Sequence, residues 1–300
     1  MLKIAHRNIY THPLPEGHRF PMLKYELLPE QLLYEGTCNQ ANFFEPENAE
    51  EAHIAAVHTT AYISSLKQLT LDKKAIRKIG FPLSKELVNR EEIITDGSIK
   101  ASDFALQFGV AMNVAGGTHH AYTNRGEAFC LYNDQAIAAR YLQRHRQINK
   151  ILIVDLDVHQ GNGTAQIFQN DPSVFTFSMH GASNYPFHKE QSDLDIALPN
   201  GTNDTKYLST LKNTIPRLID DVQPDFIFYL CGVDILESDK LGKLACSLKG
   251  CAERDRYVLQ TCKDLNIPVM CSMGGGYSPE IKTIVEAHAN TFRIAQEIFF

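Results

Sequence analysis

The stretch Ile151–Gly163, reading ILIVDLDVHQGNG, constrains the fold more than any other part of the chain. Four consecutive aliphatic residues, Ile151 to Val154, form a short apolar run, the pattern of a strand buried on both faces of a parallel sheet. The run leads into Asp155, Asp157 and His159 at every-other-residue spacing, which places three polar side chains on one face at the strand's carboxyl end. Two carboxylates and an imidazole on one face are costly to bury unless something pairs with them, and a divalent cation satisfies all three. Gly161 and Gly163 allow a sharp turn before a helix begins near Thr164. A solvated acidic turn would explain an isolated Asp-x-Asp, but His159 in register weighs against it.

The same arrangement recurs along the chain. The apolar stretch Val110–Ala115 ends in Gly116-Gly117-Thr118-His119-His120, where a Gly-Gly turn can aim both rings into one cleft. Phe226–Cys231 ends in Gly232-Val233-Asp234, and Val269–Ser272 opens into Gly274-Gly275-Gly276-Tyr277. Val174–His180 carries Ser178 near its end, and Leu2–Ala5 is a short edge-like strand. Helical periodicity falls between them, over Ser98–Phe108, Asp134 to about His145, Thr164–Gln169, Asp204–Asp221, Leu248–Leu265 and Pro279–Gln296. Pro46–Leu69 also reads as a helix, with its stripe at Ile54, Val57, Ala61 and Leu66, and 181–203 reads as a loop. The segment holding His6, His12 and His18 is rich in proline and reads as a structured surface loop able to rim a pocket. His53 and His58 read as packing residues rather than ligands.

Strands alternating with helices imply a single α/β domain over 1–300, a mostly parallel open sheet flanked by helices. In such sheets the crevice lies outside the carboxyl ends of the strands. His119, His120, Asp155, Asp157, His159, Asp234 and Tyr277 all fall at such ends.

The 300 residues are 44% hydrophobic with a net charge of −6 and no long Lys/Arg run, which argues against nucleic-acid or anionic-membrane binding. The seven cysteines follow no regular framework, and Cys231 and Cys271 sit in apolar runs where a free thiol packs as a small hydrophobe. With no leader pattern at the amino end, the expected compartment is the reducing cytoplasm. No apolar run approaches the roughly 18 residues of a membrane span.

Asp157, His159 and Asp234 offer three protein ligands and leave a metal position open, as catalytic sites do. A bound ion polarises a carbonyl and acidifies water, His119 or His120 can move the proton, and Tyr277 can donate to a developing oxyanion. These parts describe metal-assisted amide hydrolysis. Asp155-x-Asp157 also opens the haloacid-dehalogenase phosphatases, but Asp220-Asp221, the only paired acidic motif downstream, falls in a helix. Gly161-Asn162-Gly163 lacks the third glycine of a dinucleotide-binding turn.

Thr118-His119-His120, Phe129–Asp134, Asp155–Thr164, Gly232–Asp234 and Gly274–Tyr277 together resemble the zinc-dependent histone deacetylase family of the arginase/deacetylase superfamily. The ordered match spans about residues 100 to 280, and CGVDILESDKLGKLACS (231–247) looks nearest the class IV branch and its bacterial relatives. The chain would then be little more than the catalytic domain. By this resemblance Asp157, His159 and Asp234 would bind zinc, although the same donors would accept iron(II). His120 would be the general acid/base, with His119 its electrostatic partner bonded to Asp155. Tyr277 would polarise the acyl carbonyl. Phe129 and Tyr185 would line the lysine channel, with Gly275 and Gly276 at its floor. A structural potassium or sodium ion would sit on Asp155, Ser178 and the backbone carbonyls of Asp157, His159 and Met179.

The chain departs from the family at Gln160, where many members have a second histidine, and at Asn162, where several use aspartate behind the acid/base histidine. Asp96 is the nearest candidate for the rim aspartate that grips substrate backbone in some members. The implied substrate is an Nε-acyl-lysine in a protein or peptide, acetylated or fatty-acylated, or an acylated small amine such as an acetylpolyamine, to which a net acidic surface would be suited. A non-catalytic acyl-lysine-binding module would not need both His120 and Tyr277, and an arginase-like hydrolase would need a second set of metal-binding aspartates.

Overall fold

The structure, a computed structural model, describes residues 1–300. In chain order its elements are β1 (Lys3–Ala5), α1 (Lys24–Tyr34), β2 (Phe43–Phe44), α2 (Glu51–Ile54), α3 (Thr60–Lys67), α4 (Lys73–Ile79), α5 (Lys85–Phe108) and β3 (Val110–Asn113). They continue with α6 (Asp134–His145), β4 (Ile151–Asp155), α7 (Asn162–Phe168), β5 (Val174–Gly181), β6 (Leu194–Leu198), α8 (Asp204–Val222), β7 (Phe226–Leu230), α9 (Leu248–Asp264), β8 (Val269–Ser272) and α10 (Ile281–Phe299).

The eight strands form one wholly parallel sheet in the order β2-β1-β3-β8-β7-β4-β5-β6. Every residue of β3, β4, β7 and β8 is buried, so helices cover these central strands on both faces. One layer is α5 with α6; in the other, α1, α10, α9 and α8 pack in succession. The chain lays down β1 to β3, crosses to β4, builds outward to β6, and returns to insert β7 and β8. That reversal puts β3, β8, β7 and β4 side by side, a switch point where a crevice opens at the strand ends. The strands that end in the four polar clusters are those same central four.

Three expectations need correction. Pro46–Leu69 is not one helix: the side chain of Thr59 caps α3 by accepting from the Tyr62 amide, while the Thr59 N–H donates to Thr123 O at 2.8 Å, so the chain is drawn out of helical register before Thr60. The 181–203 segment contains β6, an edge strand paired only with β5 and mostly half-buried, which leaves it without an apolar run. Helix α5 begins at Lys85 rather than Ser98, capped by Ser84, whose Oγ accepts from Leu87 N at 3.1 Å. Its first half buries Arg90, Glu91 and Asp96, charged residues that break the apolar stripe by which helices are read.

Candidate active site

At the end of β4 the backbone leaves the sheet but keeps its alternation. Leu156 and Val158 turn into the core while Asp157 and His159 face the crevice. From the end of β7, Asp234 joins them. Single donor atoms of Asp157, His159 and Asp234 lie within 4.8 Å of one another, and all three residues are buried. His159 Nδ1 is 3.0 Å from Asp157 Oδ1 and 3.2 Å from Asp234 Oδ2. Backbone amides hold the carboxylates in place: Gly275 N donates to Asp157 Oδ2 at 2.8 Å, and Val158 N to Asp234 Oδ1 at 3.0 Å. A Cβ at Gly275 would overlap the Asp234 carboxylate, so the glycine after β8 lets the backbone approach the cluster. Burial, reinforced by the charge of Asp157, pushes the Asp234 carboxyl above the usual carboxylate range. Two carboxylate oxygens and one imidazole nitrogen, converging with a side left open, fit a catalytic divalent ion.

The turn after β3 carries His119 and His120. Gly116 and Gly117 adopt φ of +80° and +75°, and a Cβ at Gly116 would strike the Asp134 carboxylate. Asp134, in the first turn of α6, accepts from Thr118 N at 2.9 Å and Thr118 Oγ1 at 2.7 Å, which anchors this turn to the helix. His119 Nδ1 donates to Asp155 Oδ2 at 2.7 Å. Burial pulls His119 down, but the Asp155 carboxylate outweighs it and raises the ring above its ordinary pKa. His120 Nδ1 lies 2.6 Å from Asn162 Oδ1. The Asn162 amide donates to Tyr122 Oη at 2.9 Å, and that hydroxyl donates to Glu190 Oε1 at 3.1 Å. This chain fixes the proton of His120 on Nδ1 and leaves Nε2 as the acceptor. Burial, with the neighbouring rings of His119 and His159, holds His120 well below its ordinary pKa.

A cavity of about 720 Å3 opens over these groups. Phe129, Tyr185, His120, His159 and Tyr277 line it, with the Tyr185 ring edge-on to His120 at 5.1 Å between centroids. The buried lining residues Tyr25, Arg90, Glu91 and Ile94 mark its deep end, and the exposed Arg19, Lys78, Phe187 and Lys243 its mouth. The loop after β1 contributes Arg19 and Phe20 to the wall, and Gly275 lines the cavity next to Tyr277. Gly276 is buried against Val233 and His288. Ser178 pairs with Asp155 across β4 and β5, and Met179 follows it, so both stand beside the cluster at the same sheet end.

Asp96 does not reach the cavity. It accepts from Glu47 N at 2.7 Å and pairs with Lys100 at 2.9 Å, one turn along α5. Gln160 lies behind the triad, where it clamps the loop after β5 by accepting from Glu190 N at 3.0 Å and donating to Asp195 Oδ1 at 2.8 Å. His58 packs under the site, with Nε2 accepting from Asn133 N at 3.0 Å and Nδ1 donating to Tyr122 O at 2.9 Å.

Three supporting residues escaped the sequence reading. Lys24 is buried and donates to Gly274 O at 3.0 Å; burial draws its ammonium down to about 8. Asp239 accepts from Tyr277 N at 2.6 Å. Arg254, fully buried on α9, donates to Gly232 O at 2.6 Å, Cys231 O at 3.2 Å and Leu156 O at 3.4 Å, tying together the two loops that carry the triad. A signal for Arg254 was present: it lies on the stripe of Cys251, Val258 and Cys262, where a charge is out of place.

Comparison with known proteins agrees with this architecture. The histone deacetylase domain family matches residues 18–292. An uncharacterized protein of Picosynechococcus is 45% identical over 290 residues, 97% of this chain and 97% of its own length. Histone deacetylase clr6 of Schizosaccharomyces pombe is 30% identical over 290 residues, covering 89% of this chain and 68% of its own. The crystal structure of an HDAC homolog complexed with SAHA has the same fold, with a TM-score of 0.86 at 22% identity over 99% of this chain and 84% of that one.

Proposed function

Because this chain belongs to the histone deacetylase domain family, we propose that it is a metal-dependent deacylase that hydrolyses the amide of an Nε-acyl-lysine. The observation that carries the reading is the convergence of Asp157, His159 and Asp234 beneath a cavity that also holds His120 and Tyr277. Asp157, His159 and Asp234 would hold zinc, and iron(II) suits the same donors. When bound, the ion supplies Lewis acidity, polarising the acyl carbonyl and acidifying water. His120 takes the water proton at Nε2 and returns it to the leaving amine. His119, paired with Asp155, keeps positive charge near the reacting centre, and Tyr277 donates its hydroxyl proton to the oxygen on which charge develops. Phe129 and Tyr185 wall the lysine stem, with Gly275 and Gly276 below. Asp155, Ser178 and the carbonyls of Asp157, His159 and Met179 would hold a structural potassium or sodium ion.

The deep end of the cavity favours a short acyl group. A fatty tail there would run past the buried Arg90–Glu91 ion pair, which returns little for burial of alkyl surface, with Ile94 and the Tyr25 ring as apolar neighbours. The Asp155–Thr164 and 231–247 segments support placement in the class IV branch, and seven buried, unpaired thiols support a reducing compartment such as the cytoplasm. No helix is long and apolar enough to cross a membrane.

The test is hydrolysis of one lysine peptide carrying acetyl, octanoyl or myristoyl groups, with and without a chelator. Chelator-sensitive turnover that falls with chain length is expected. Preference for myristoyl would overturn the short-acyl reading, and no turnover of any of the three by metal-loaded protein would overturn the lysine substrate.

A further inference from the structure

The mouth of the cavity carries a charge opposite to that of the whole molecule. The chain's net charge is −6, yet Arg19, Lys78, Arg125 and Lys243 border the opening against only two carboxylates, Glu127 and Glu190. Both carboxylates are engaged. Glu127 accepts from Tyr185 Oη at 2.6 Å, Arg125 Nε at 2.9 Å and Lys78 Nζ at 3.2 Å, and is 7% exposed. Glu190 accepts the Tyr122 hydroxyl at the end of the chain that fixes His120.

The cations are held where a substrate must pass. The Arg19 guanidinium sits 5.0 Å from the centroid of Phe129, on the channel wall. Arg125 stacks on Tyr122 at 3.4 Å. Lys243 reaches the loop after β5 through Ser183 O at 3.2 Å. Arg19 and Lys243 are exposed, and neither forms an ion pair with a carboxylate of the chain. Asp96 lies elsewhere on α5, so the only aspartate that lines the cavity is Asp157 of the triad.

We infer that the enzyme selects acyl-lysines set in acidic polypeptide segments, with Arg19 and Lys243 meeting carboxylates on either side of the modified residue. This rests on the acyl-lysine reading above and gives that substrate its sequence context. It differs from the expectation, drawn from net charge, that a cationic substrate would suit the surface. Charges of one sign around a cleft raise the local concentration of oppositely charged ligands whatever the total charge, and repel ligands of like sign.

Three peptides test the inference. They share one central acetyl-lysine, flanked on both sides by paired glutamates, alanines or lysines. Measured as kcat/KM on the metal-loaded full chain, the glutamate peptide should exceed the lysine peptide about tenfold at low salt, chiefly through KM. The ratio should shrink towards one as added salt shortens the screening length. In the double variant Arg19→Glu, Lys243→Glu the preference should fall several-fold or invert. Equal rates for the three peptides, or a preference for lysine flanks, would overturn the inference while leaving the deacylase reading intact. If even the alanine peptide is not hydrolysed, the deacylase reading fails and takes the inference with it.

Discussion

His120 is buried, its proton is fixed on Nδ1 by Asn162, and its other nitrogen is free. Replacing it with alanine should lower kcat by about 100- to 10,000-fold, the usual contribution of a positioned acid–base group, with zinc stoichiometry unchanged by metal analysis. Asn162→Asp would set a carboxylate against the same ring. A neighbouring anion favours imidazolium, so the acid limb of the kcat/KM profile should move up by about one pH unit or more; an unmoved limb would remove His120 from the titrating role. His58 gives a stability prediction. Burial holds it down at about 4 against an ordinary 6.5, so the folded state resists its protonation while the unfolded chain accepts it. Its contribution is therefore complete above the unfolded value and is lost as pH falls from 6.5 towards 4, by up to roughly 1.4 kcal/mol per pH unit. Urea unfolding of wild type and His58→Gln across that window should show about one proton less uptake on unfolding in the variant. At this scale the four polar clusters were legible because each follows an apolar run. Lys24 and Asp239 were not: Lys24 is a charge at the first position of α1, in register with buried Leu28 and Leu32, and Asp239 is a single charged residue in a loop, so each is buried only by contacts made in three dimensions.

Between elements, the site depends on how four strand ends are held in register, and much of that falls to α9. Arg254 binds carbonyls from the β4 and β7 loops while its neighbour Asp255 accepts from Tyr229 Oη at 2.5 Å and Thr291 Oγ1 at 2.7 Å. Arg254→Met leaves Asp255 buried without its cation and should destabilise the protein by about 3–5 kcal/mol in urea unfolding. Among molecules that remain folded, zinc affinity measured by competition with a chelating dye should fall, because Leu156 and Gly232 flank ligand-bearing positions; unchanged affinity would restrict Arg254 to packing. The strands were readable because parallel strands buried on both faces are continuous apolar runs. Strand β6 and the first half of α5 were not: one is half-exposed at an edge, and the other buries charges in place of an apolar stripe. The break at Thr59 depends on Thr123, far along the chain, and leaves no local trace beyond a capping threonine.

For the whole molecule, stability and activity both depend on one metal site. Burying Asp157 and Asp234 together opposes folding unless a cation joins them, so metal should raise the unfolding free energy by about 4 kcal/mol when its free concentration is a thousandfold above Kd. Thermal melts with and without a chelator would show this as a lower Tm on metal removal. A Tm indifferent to metal would mean that the triad is a hydrogen-bonded cluster and not a ligand set. The most direct measurement strips the protein of metal, titrates zinc back, and follows hydrolysis of an acetyl-lysine peptide at each addition. Turnover should be absent at the start and complete on reaching one zinc per chain, with Asp234→Asn failing to recover. Undiminished turnover by the stripped protein, or none with zinc fully bound, would contradict it.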